Sequence, residues 1–130
     1  MNSEQYLRAL KIKHSNKLMD DKKIVKYDEK DEILDTILDF LEEAIAINQT
    51  KKENNKIQGI RITKERVYIF NKRGLQLVFF TSWYKLNYLR GKIESYNYTK
   101  LKEALLDNIE DFKKIGYGIK FLSCNIFIIF

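Results

Sequence analysis

The chain has 130 residues, no proline and one cysteine, with 45% apolar and 32% charged residues and a net charge of +6. That length supports one domain with its own core, and the composition is that of a globular chain rather than a disordered one. A single Cys excludes a disulfide framework, and no Cys/His spacing suits a structural zinc site. Residues 1–17 are polar with scattered lysines, so no secretory leader is expected, and no apolar run is long enough to span a bilayer. The expectation is a soluble, cytoplasmic protein.

In chain order, Ser3 caps an expected first helix from about Glu4 to Met19, with Tyr6, Leu7 and Leu10 on one side. A turn follows at Asp20–Lys23, and Ile24–Tyr27 reads as a short strand or connection. The clearest element is a helix from about Glu29 to Asn48. Ile33, Leu34, Ile37, Leu38, Leu41, Ala44 and Ile45 recur there with a period of 3.6, and acidic residues crowd the positive end of the helix dipole. The polar run 49–56, QTKKENNK, ends it as a candidate flexible loop.

The period then changes to two. Ile57–Thr63, Arg66–Phe70 and the apolar run Leu75–Thr81 read as three antiparallel strands, with Thr63-Lys64-Glu65 as one turn and Asn71–Gly74 as a hairpin loop. Ser82 caps a helix carrying Trp83, Leu86, Leu89, Ile93 and Tyr96. Thr99 caps another from about Lys100 to Lys114, with Leu101, Leu105, Ile109 and Phe112 inward, stopped by Gly116 and Gly118. Ile119–Phe130 reads as one strand, apolar on both faces after Lys120. It is either central in a sheet or an edge completed by a second copy in a homodimer. The order ααβββααβ predicts a single α+β domain over residues 1–130, with a small, mainly antiparallel sheet and helices packed on one face.

The charge is concentrated. Residues 57–100 hold nine basic side chains against Glu65 and Glu94 alone, and four of the five arginines are among them. Aromatic residues from Tyr68 to Tyr98 interleave with these cations. Phosphate binders need cations, and single-strand binders add aromatic faces on which bases stack. Arg61, Lys64, Arg66, Tyr68, Lys72, Arg73, Lys85, Arg90 and Lys92 are therefore the candidate polyanion-binding residues. In the strand Arg66–Phe70, Arg66, Tyr68 and Phe70 share one face. Against this reading, the aromatics are core and the cations solubilising, and no known nucleic-acid-binding signature is present.

A stripe of carboxylates, including Asp35, Asp39, Glu42 and Glu43, lies opposite the apolar side of helix 29–48. It is the candidate docking surface of an alternative reading, a protein-interaction module or homodimeric inhibitor. A second alternative is a metal-dependent nuclease using that stripe, although the stripe lacks the D-x-D-x-D-G spacing of an EF-hand. Arg8 and His14 stand about 120° apart on a helix and make no catalytic pair. Cys124 reads as a buried, inert thiol. No catalytic motif, cofactor signature or metal-ligand set is found.

Ile, Lys, Asn, Tyr and Phe make up 62 of the 130 residues, the skew of AT-rich codons. The leading expectation is a small non-enzymatic binding protein that engages nucleic acid or a nucleoprotein through segment 61–100. An accessory or inhibitory role in a phage or mobile element fits the residue usage.

Overall fold

The computed structural model describes residues 29–72 and 84–130. The expected helix 4–19, the strand or connection at 24–27, the strand 75–81, Arg73, His14 and Trp83 all lie outside the described residues. The described chain is an α+β fold: helix α1 (Glu29–Asn48), strands β1 (Gly59–Ile62) and β2 (Val67–Phe70), helices α2 (Tyr84–Ser95), α3 (Tyr98–Asp107) and α4 (Ile109–Lys114), then strands β3 (Gly118–Leu122) and β4 (Asn125–Ile129).

Helix α1 spans the expected residues, but it buries more than one stripe. Thr36 and Phe40 are buried together with the expected Ile33, Leu34, Ile37, Leu38, Leu41 and Ala44. The reason is that α2 and α3 both pack against it, so a single amphipathic face is not wide enough. The Thr36 hydroxyl donates to the Glu32 carbonyl and lies 2.9 Å from the Tyr96 hydroxyl, which donates to Glu32 Oε1. Burial of Tyr96 raises its phenol pKa, and the nearby Glu32 carboxylate raises it further.

The expected loop 49–56 is pinned at its base. Asn48 Oδ1 accepts from the Ile57 N–H at 2.7 Å, and Asn48 Nδ2 donates to the Ile57 carbonyl at 2.9 Å. A turn of 3-10 helix, Glu53–Asn55, lies within the loop. The β1–β2 turn does without glycine because Thr63 Oγ1 accepts from the N–H groups of Glu65 and Arg66.

All strand pairings are antiparallel, in the order β2-β1-β4-β3. Ile60, Ile62, Val67, Ile69, Ile126 and Ile128 form the inner face and join the helices in one core with Leu86, Ile93, Leu101, Leu105 and Phe112. At the β2 edge the Val67 N–H donates to Glu94 Oε1 of α2 at 2.9 Å, tying helix to strand.

Three local expectations are corrected. The helix 100–114 is two helices, because Asn108 turns its amide back to the Ala104 carbonyl (2.8 Å) at the break, and its backbone leaves helical geometry there. The cap is Asn97 rather than Thr99, its side chain accepting from the Lys100 N–H. Residues 119–130 are a hairpin rather than one strand. Ser123 adopts φ 57° and reverses the chain without a glycine, which places Cys124 exposed in the turn and not in the core. The two expectations for this segment are thereby divided: β4 is interior, and β3 is an edge of the described sheet. Gly116, one of the two glycines expected to stop the helix, takes a positive φ of 91° after α4.

Candidate polyanion-binding face

Strand alternation sends one half of the sheet side chains away from the helices. The register aligns them in rows. Tyr68 of β2 pairs with Arg61 of β1, Arg61 with Phe127 of β4, and Phe127 with Lys120 of β3. A second row is Phe70, Gly59, Ile129 and Gly118. At the end of the sheet, Thr63 bonds across to Arg66, and Asn125 pairs with Leu122. The outward positions of the four strands hold no carboxylate.

The central row alternates ring and cation. The Arg61 guanidinium carbon lies 5.2 Å from the Tyr68 ring centroid, and its Nε donates to Asn125 Oδ1 at 3.2 Å. Arg61 and Lys120 are exposed, while Tyr68, Phe70 and Phe127 are half-buried. Gly59 makes room for a neighbouring ring: a Cβ there would stand 2.6 Å from Phe70 Cζ and 2.5 Å from the Ile128 carbonyl oxygen.

The structure divides the candidate residues. Arg61 and Tyr68 sit in the central row, and Lys64 and Arg66 are exposed at its β1–β2 end. Lys72 is tied to Glu53 at 2.8 Å, and this ion pair lowers the Glu53 carboxyl pKa. Lys85, Arg90 and Lys92 lie on α2 and not on the strands. Lys85 pairs with Glu43 at 3.7 Å and Lys92 with Glu32 at 3.8 Å, so this part of the basic segment faces the acidic stripe of α1. Asp35, Asp39, Glu42 and Glu43 are half-buried along α1. Two exposed tyrosines of α2, Tyr84 and Tyr88, lie one helical turn apart.

Phe127 and Lys120 were not among the sequence candidates. They are distant in sequence from Arg61, and only the strand register brings them alongside it. Reading 119–130 as one strand hid that register.

Among the described residues, no group of three or more His, Cys, Asp or Glu is arranged to hold a metal ion, and no helix is long and apolar enough to cross a membrane. Comparison of the chain with protein-family models, with curated proteins and with solved structures finds no match.

Proposed function

We propose that the protein is a non-enzymatic binding module that engages a polyanion, nucleic acid or a nucleoprotein, through the outer face of its sheet. The observation that carries this reading is the row Tyr68–Arg61–Phe127–Lys120, in which two cations and two rings share a face whose described strand positions hold no carboxylate. Exposed cations neutralise phosphates and release their counterions, which makes affinity fall with salt. The helix cations contribute less, because Lys85 and Lys92 already have carboxylate partners.

The test is the salt dependence of binding to a labelled oligonucleotide, for the wild type, Arg61→Ala/Lys120→Ala and Lys85→Ala/Lys92→Ala. The sheet double variant is expected to lose most affinity and to flatten the log–log salt plot, while the helix variant stays close to wild type. Equal loss in both variants, or no binding at low salt, contradicts the reading.

A further inference from the structure

The face carries rings as well as charge, and this bears on the form of its ligand. We propose that the ligand is a single strand of nucleic acid, crossing the sheet from β2 to β3 with bases stacked on Tyr68 and Phe127. This rests on the polyanion reading of the same face and adds a requirement for unpaired bases.

The placement of the rings carries the argument. Neighbouring strands are about 4.8 Å apart, so Tyr68 and Phe127, two strands apart in one row, are separated by roughly 10 Å at the backbone. Arg61 stands between them and Lys120 beyond, so each ring has a cation beside it in the row. A duplex hides the faces of its bases within the stack and presents phosphates alone to such a surface. A single strand offers both base faces and phosphates. Both rings are half-buried, which fixes them on the sheet while leaving part of each accessible. Arg61 is held from two sides, over Tyr68 and by Asn125, so its guanidinium is positioned before a ligand arrives. The occupant is assigned from charge: the strand positions facing outward include Arg61 and Lys120 and no acidic residue.

The experiment is fluorescence anisotropy with four labelled probes of equal length: single-stranded RNA, single-stranded DNA, duplex DNA and an abasic phosphodiester strand. Tyr68→Ala, Phe127→Leu and Phe127→Trp are compared with wild type after circular dichroism has established folding. Single strands are expected to bind at least tenfold more tightly than the duplex or the abasic strand. Phe127→Leu and Tyr68→Ala each lose roughly tenfold on the single strands alone, and Phe127→Trp retains binding because it keeps a ring face. The RNA and DNA arms identify which sugar is preferred.

Equal affinity for all four probes, with no effect of the ring variants, overturns the single-strand inference but leaves polyanion binding standing. Failure of every probe at low salt overturns both. Self-association that Phe127→Leu abolishes, without binding to any probe, overturns both and assigns the face to a second copy of the chain.

Discussion

Arg61 and Tyr68 face each other across the β1–β2 pairing, with the guanidinium 5.2 Å from the ring centroid. The contact orients a cation within a row that otherwise holds the Phe127 ring and a second cation, Lys120. An exposed pair of this kind is worth about 0.5–1 kcal/mol. Arg61→Lys keeps the charge but loses the planar fork that spans Tyr68 and Asn125. It is expected to change thermal stability little and to weaken oligonucleotide binding several-fold, measured by anisotropy.

Asn48 holds the end of α1 to the start of the sheet through both polar groups of Ile57. Ile57 is buried, so Asn48→Ala leaves its N–H and carbonyl without these partners. A loss of roughly 1–3 kcal/mol is expected in urea unfolding. Asn48→Asp keeps the acceptor and loses the donor, and should lie between the two.

Gly59→Ala places a methyl group against Phe70 and the Ile128 carbonyl. Accommodating it means moving the ring or opening the β1–β4 pairing. Roughly 1–3 kcal/mol of destabilisation is expected by denaturant titration, together with a shifted Phe70 ring signal in NMR.

Tyr117 buries a hydroxyl to which no described residue offers a hydrogen bond, while its ring packs edge-on against Phe130. Burial raises its phenol pKa strongly, and desolvation raises Tyr96 and Tyr98 as well. The folded pKa values therefore exceed the unfolded value near 10. The stabilising contribution is complete below that pH and is lost as pH rises through the folded pKa values, because the unfolded chain releases these protons first. Unfolding free energy should fall above about pH 10. Tyr117→Phe removes this buried hydroxyl, unpaired among the described residues, and should stabilise the protein by about 1 kcal/mol at neutral pH, with a shallower alkaline decline. Urea titrations from pH 7 to 11 check both outcomes.

Legibility in the sequence followed the length over which a pattern repeats. Helix α1 was visible to its ends because seven apolar residues keep one period from Ile33 to Ile45. The alternation of Val67, Tyr68, Ile69 and Phe70 gave the two faces of β2, and the structure agrees. The β3–β4 hairpin was not visible. Its turn, Ser123-Cys124, lacks the glycine that marks such turns, and its strands are apolar enough to read as one. The site was half visible for the same reason: Arg61 and Tyr68 lie in neighbouring strands, whereas Phe127 and Lys120 join them only through that hairpin. Lys85 and Lys92 were candidates by composition, and a count of charges does not show that α1 supplies their partners.

The most direct measurement of the central claim is a ¹H–¹⁵N NMR titration of the wild-type chain with an unlabelled single-stranded oligonucleotide. The account predicts saturable shifts at Arg61, Tyr68, Phe127 and Lys120, with Lys85 and Lys92 little changed. Shifts confined to α1 and α2, or none at a tenfold excess of oligonucleotide in low salt, would contradict it.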